Sequence, residues 1–202
     1  MNALDRMFDE GGSCAAYARR YARRVAELLE ALDFDVVDRI AAFLAEARAA
    51  GRRVFFVGNG GSAATSSHFA NDLGLGTRAP GAAPARAISL TDNLANLTAL
   101  ANDEGYERVF VGQLDGLFEA GDVLVALSAS GNSPNILRAV EYANDHGGTT
   151  IGLVGFDGGK LRDRCHICLQ VKTERGEYGP VEDIHVVVCH MVTTYLKRKA
   201  LG

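Results

Sequence analysis

Val54-Phe55-Phe56-Val57 runs straight into Gly58-Asn59-Gly60-Gly61-Ser62, and the architecture of the chain follows from this passage. Four apolar residues without polar alternation suit a strand covered on both faces, and the glycine-rich turn behind them leads into a helical pattern from Ala63 to Leu73. The same alternation recurs downstream. Short apolar runs stand at Ala87-Ile88-Ser89-Leu90, Val123-Leu124-Val125-Ala126-Leu127, Thr150-Ile151-Gly152-Leu153-Val154 and Ile167-Cys168-Leu169-Gln170-Val171. Helical patterns separate or follow them at Leu94 to Ala101, Asn135 to His146 and Val181 to Lys199. Strands alternating with helices predict a five-stranded doubly wound α/β sandwich with a parallel sheet.

Two amphipathic helices, Ala15 to Leu32 and Asp35 to Ala50, precede the first strand. Residues 1–50 therefore form a helical pair ahead of an α/β core over 51–202, all within one domain of 202 residues. A pair belonging to no βαβ unit is expected to bury its spare apolar face against another subunit, so a homo-oligomer is expected.

Composition narrows the function. The 21 Lys+Arg against 25 Asp+Glu leave a net charge of −4, with no basic face for a row of phosphates, so nucleic acid is not the expected partner. The densest basic cluster, Arg19, Arg20, Arg23 and Arg24, reads as a solvated helix face. No run of about 18 apolar residues could span a bilayer, and the N-terminus lacks the pattern of a secretion signal, so a cytoplasmic protein without membrane contact is expected. Cys165 and Cys168, read as i and i+3 of a strand, should point to opposite faces, which argues against half a zinc site.

In an open parallel sheet, ligands bind beyond the carboxyl ends of the strands. The Gly58–Ser62 turn offers backbone N–H groups and a helix N-terminus to an anion. The loop Ser128-Ala129-Ser130-Gly131-Asn132-Ser133 precedes Pro134, which places Ser133 as a helix N-cap and leaves Ser128 and Ser130 as spare hydroxyl donors. With no Lys or Arg in either loop, neutral donors are expected to hold one small monophosphate. His68 and Asp72 share a helix face, as do Glu182 and His190 on the last helix. Such sets suit a metal or acid/base chemistry, although a surface hydrogen bond explains a single pair as well. His185 reads as a packing or inter-subunit residue.

Together, Gly58-Asn59-Gly60-Gly61-Ser62, His68-Phe69-Ala70, Thr91-Asp92, Asn102-Asp103, the Ser128–Ser133 loop, and Glu182-Asp183-Ile184-His185 with His190 resemble the sugar isomerase (SIS) domain, most closely its phosphoheptose isomerases. The resemblance covers nearly the whole chain. It implies a three-layer flavodoxin-like sheet, a cytoplasmic homotetramer with active sites between subunits, a bound Zn2+, and interconversion of sedoheptulose 7-phosphate with D-glycero-D-manno-heptose 7-phosphate through a cis-enediol. By position it implies that Ser62, Ser128, Ser130 and Ser133 hold the phosphate, with Gly60 and Ala129 beside them and Asn59, Asp92 and Glu182 near the sugar. His68, Asp72, Glu182 and His190 match metal positions, Asp72 and His190 also being the acid/base pair. The family more often carries Glu at position 72, Gln at 182, an arginine at 76 and an acidic residue at 179, where this chain has Asp72, Glu182, Gly76 and Gly179. Two other readings remain open at this level: an isomerase for another long-chain sugar phosphate, and a non-catalytic phosphosugar-binding or DnaA-associating protein.

Overall fold

The computed structural model describes residues 1–201. Five parallel strands, β1 (Arg53–Val57), β2 (Arg86–Ser89), β3 (Val123–Ser128), β4 (Thr149–Gly155) and β5 (Ile167–Val171), form one sheet in the order β2-β1-β3-β4-β5. This is the doubly wound arrangement expected from the sequence, each predicted strand agreeing to within one or two residues. Alternation along each strand divides the core in two. Val54, Phe56, Val125 and Leu127 pack to one face, and Phe55, Val57, Leu124 and Ala126 to the other.

The first face is covered by α2 (Cys14–Glu30), α3 (Phe34–Ala49), α4 (Gly61–Asn71) and α8 (Tyr178–Leu201). The second is covered by α5 (Leu94–Asp103), the short α6 (Val111–Leu114) and α7 (Pro134–Asp145). A further N-terminal helix, α1 (Ala3–Asp9), carries a capping box in which Asn2 and Asp5 bond each other's backbone N–H groups. Sequence reading missed α1 and α6 because each is too short to show a helical period.

The leading pair behaves differently from expectation. Leu28 and Leu32, with Ile40, Ala41, Leu44 and Ala47 of α3, belong to the same core as Val188 and Val192 of α8 and Leu169 of β5. A lone pair of helices has to bury this face somewhere, and its own α8 and sheet are there to receive it. The apolar face that suggested another subunit is therefore largely spent within the chain.

The arginine cluster also divides. Arg24 pairs at 3.0 Å with Glu177, which is fully buried, and Arg20 donates to the Gly11 carbonyl at 2.7 Å, so only Arg19 and Arg23 are free surface groups. The helix after β1 does not stop at Leu73. It widens into one π turn over Asp72–Gly76, a local geometry that costs regular hydrogen bonding and concentrates at functional sites.

Candidate functional site

β1 and β3 are sheet neighbours, and the chain winds away from them in opposite directions, so their trailing loops open a crevice at the switch point. Those loops are the glycine-rich turn and the serine loop. Gly58 must be glycine because a Cβ there would run into the Ser62 carbonyl group. Gly131 has φ +62°, and a Cβ on it would strike the Gly158 carbonyl. The turn after β4 thus packs tightly against the serine loop, and the Leu161 N–H donates to the Gly131 carbonyl at 3.0 Å.

The cradle so formed has a volume of about 170 Å³ and is lined by Asn59, Ser62, Ser128, Ala129, Ser130 and Ser133, with Tyr178 and Glu182 from α8. Gly60 sits at its rim as the α4 N-cap, in the left-handed region with φ 55°. The serines divide their work otherwise than the sequence suggested. Ser133 occupies the α7 N-cap position but its hydroxyl makes no capping bond, because the Asn135 side chain accepts from the Ile136 N–H at 3.0 Å instead. Ser128 and Ser130 are the engaged pair, accepting from the Gly131 N–H at 3.1 Å and the Asn132 N–H at 3.3 Å. A hydroxyl that accepts still has its proton to donate, so these bonds aim the oxygens and leave the donors for an anion.

Three cradle features were not visible in the sequence. Asn59 is locked by a reciprocal amide pair with Asn135, both bonds 2.9 Å, and by the Tyr106 hydroxyl donating at 2.9 Å. Tyr178 stands between the cradle and an adjoining hollow of about 400 Å³, with which it shares Ser130 and Ser133. Arg175 lines that hollow, so a cation from the segment after β5 stands beside a site expected to hold neutral donors alone. Only folding brings Arg175 to a loop more than 40 residues earlier.

Glu182 lies in the cradle wall, with its carboxylate directly over Gly61, where any Cβ would overlap it. Burial, and then the neighbouring Asp183 carboxylate, push its carboxyl above the ordinary carboxylate range.

Two turns further along α8 a second constellation forms. The Nε2 atoms of His68 and His190 are 2.7 Å apart, and Asp72 Oδ2 lies 3.3 Å from the first and 3.7 Å from the second. Asn71 Nδ2 donates to the other Asp72 oxygen at 3.2 Å. His68 and His190 are exposed and Asp72 partly so, which leaves the cluster open on one side. Two imidazoles and a carboxylate converging within 3.7 Å suit a divalent cation by donor type and spacing. Glu182 does not join them: it stands eight residues before His190, about 12 Å along the helix, and belongs to the cradle. Behind the cluster the buried Cys189 brings its sulfur within 4.8 Å of donor atoms of His68 and Asp72. Burial, then the Asp72 carboxylate, push that thiol up to about 12.

Asp92 departs from its expected place. Its carboxylate accepts from the Ser67 hydroxyl and lines a separate groove of about 800 Å³ along the exposed edge strand β2. That groove is the larger hollow, but neither the serine loop nor the His68 cluster lines it. His185 is wholly buried under β4, where burial lowers it to about 4, so packing within the chain accounts for it. Cys165 and Cys168 do not point to opposite faces. Cys165 precedes the strand, and both sulfurs converge on the space over Gly152, where burial is the main force pushing the thiols up to about 12 and about 11.

Residues 16–155 match the model of the SIS domain, which spans the cradle loops, His68 and Asp72 and stops short of Glu182 and His190. The phosphoheptose isomerase of Rhodospirillum rubrum is 41% identical over 143 residues, 71% of this chain and 74% of that one. The phosphoheptose isomerase of Geobacter metallireducens is 37% identical over 175 residues, 85% of this chain and 91% of its own. The solved phosphoheptose isomerase from Neisseria gonorrhoeae superposes with a TM-score of 0.79 at 28% identity, covering 91% of this chain and 96% of that one.

Proposed function

The chain belongs to the SIS-domain family and to its phosphoheptose isomerases, and from that premise we propose that it interconverts sedoheptulose 7-phosphate and D-glycero-D-manno-heptose 7-phosphate. The observation that carries this reading is the placement of two sites on one pair of helices. Ser62 opens α4 at the cradle and His68 stands six residues on, about 9 Å along the axis, beside His190 of α8. An anion site and a proton-transfer site at that separation suit a sugar phosphate whose reacting carbons lie at the far end of an extended chain.

Ser62, Ser128, Ser130 and Ser133 would hold the phosphate with hydroxyl donors, and Arg175 would add a charge at its outer side. Binding energy from that remote group fixes the sugar near its reactive geometry. Asp72 and His190 form the acid/base pair. One removes the proton from the carbon beside the carbonyl and returns it to the neighbouring carbon, while the other exchanges a proton between the two oxygens of the cis-enediol. The half-open position of both groups lets them reach opposite sides of the two carbons. His68, Asp72 and His190 would hold Zn2+, which when bound polarises the carbonyl and stabilises the enediolate oxygen.

A homotetramer acting in the cytoplasm completes the proposal. Leu75 and Leu94, both more than half exposed, flank the groove along β2 and supply an apolar surface for a second copy. No described helix is long and apolar enough to cross a membrane.

The deciding experiment incubates the zinc-supplied protein with sedoheptulose 7-phosphate in deuterated water. Deuterium appearing at the carbon beside the carbonyl, together with the aldose, supports the reaction. Incorporation with other ketose phosphates but not this one would move the assignment to another sugar, and none at all would favour a non-catalytic phosphosugar-binding protein.

A further inference from the structure

We propose that the thiol of Cys189 is a ligand of the divalent metal held by His68, Asp72 and His190, in the place that the resemblance gives to Glu182. The proposal rests on the metal reading above and adds to it a residue that neither motif nor resemblance singled out.

Its basis is geometric. One donor atom each from His68, Asp72 and Cys189 lies within 4.8 Å of the others. Cys189 and His190 are successive residues of α8, turned about 100° apart, so one half-turn of helix offers a thiol on its buried side and an imidazole on its exposed side. Asp72 reaches across from the π turn to approach both. Glu182 is two turns away with its carboxylate over Gly61, committed to the cradle.

Chemistry points the same way. Two imidazoles, one carboxylate and one thiolate form a borderline-soft set that selects Zn2+ over Mg2+ or Ca2+. On binding, the S–H bond breaks, its proton passes to water, and a sulfur–metal bond forms with no change of oxidation state. The thiolate would close the buried side and leave the exposed side for the oxygens of the substrate. The other cysteines are elsewhere: Cys14 is exposed at the start of α2, and Cys165 and Cys168 meet over Gly152.

Cobalt(II) added to the metal-free full chain tests this. The expected spectrum combines visible d–d bands with a thiolate-to-cobalt charge-transfer band in the near ultraviolet. Cys189→Val and Cys189→Ser should keep the d–d bands, lose the charge-transfer band, and bind zinc about 10- to 100-fold more weakly in chelator competition. Visible bands without charge transfer in the unaltered protein, or charge transfer that survives in Cys189→Val, would overturn the role of Cys189 while leaving the three-residue metal site standing. No cobalt uptake at all would overturn both. Should the variants fail to fold, zinc-edge X-ray absorption on the unaltered protein decides the matter: a sulfur scatterer at about 2.3 Å supports the proposal, and nitrogen and oxygen neighbours alone refute it.

Discussion

His68 and His190, separated by 121 intervening residues, bring their Nε2 atoms to 2.7 Å with ring planes at 75°, and Asp72 Oδ2 lies within 3.7 Å of both. Two neutral rings can share one proton at this distance, but two protonated ones would repel, so the cluster is built to hold a single positive charge or a cation in their place. Asp72→Asn and His190→Gln should each lower turnover by about 10²- to 10⁴-fold while leaving sugar-phosphate binding measurable. Near-normal rates in both variants, followed by deuterium exchange, would remove these residues from the mechanism. Chelation should abolish turnover and zinc should restore it.

Arg175 is the one prediction that separates a charged phosphate site from a neutral one. Arg175→Ala should raise KM for the sugar phosphate by about 10-fold, a loss of about 1.4 kcal/mol of binding, with kcat little changed. The difference between variant and parent should shrink as salt is added. A KM that does not move would return the site to serine hydroxyls and amides alone.

Glu182 sits in the cradle with its carboxyl held above the ordinary range, so it carries a charge against the incoming phosphate above that raised value and loses it below. Glu182→Gln should bind inorganic phosphate more tightly than the parent near neutral pH. The advantage should fade on acidification as Glu182 itself becomes neutral. Titration calorimetry of both proteins across the acid range measures the difference, and weaker binding by Glu182→Gln would instead make the carboxylate a positioning group.

His185 bears on stability. Its pKa in the fold is about 4 against an ordinary 6.5, so the folded state favours the neutral ring. The sign follows: its effect on stability is flat above pH 6.5, and stability falls as pH drops through the interval from 6.5 toward 4. The slope from this residue reaches about 1.4 kcal/mol per pH unit. Denaturant midpoints of the parent and His185→Leu should converge as pH is lowered through that window; parallel curves would show that the ring is not charging there.

Much of this was legible before any coordinates. The five apolar runs and the helical patterns between them are local signals, because a strand buried on both faces must be apolar throughout and a covering helix must repeat every 3.6 residues. The serines of the cradle were legible for the same reason: they follow strands β1 and β3, and a loop after a parallel strand has a known address at one edge of the sheet. His68 and Asp72 could be paired from their spacing of four.

Other features depend on contacts between distant segments. Helical period placed Glu182 and His190 on one stripe of α8, but the neighbour met along that stripe changes, being Gly61 at one level and His68 two turns on. That difference assigns Glu182 to the cradle and His190 to the cluster. Likewise the hydroxyl of Ser133 is freed from capping by a side chain two residues away, and Asp92 is drawn off to Ser67 at the edge of the sheet.

The sequence by itself determined the class of fold, the edge of the sheet that binds an anion, and the kinds of group available for isomerisation, because each is written in a local period or a turn. Only the tertiary structure decided which of those groups meet. Arg175 at the phosphate hollow, Cys189 behind the histidines and the inward-turned faces of α2 and α3 are all consequences of how α8 lies across the sheet. Packing between helices is set by the fit of whole faces, and no spacing within a single segment encodes it.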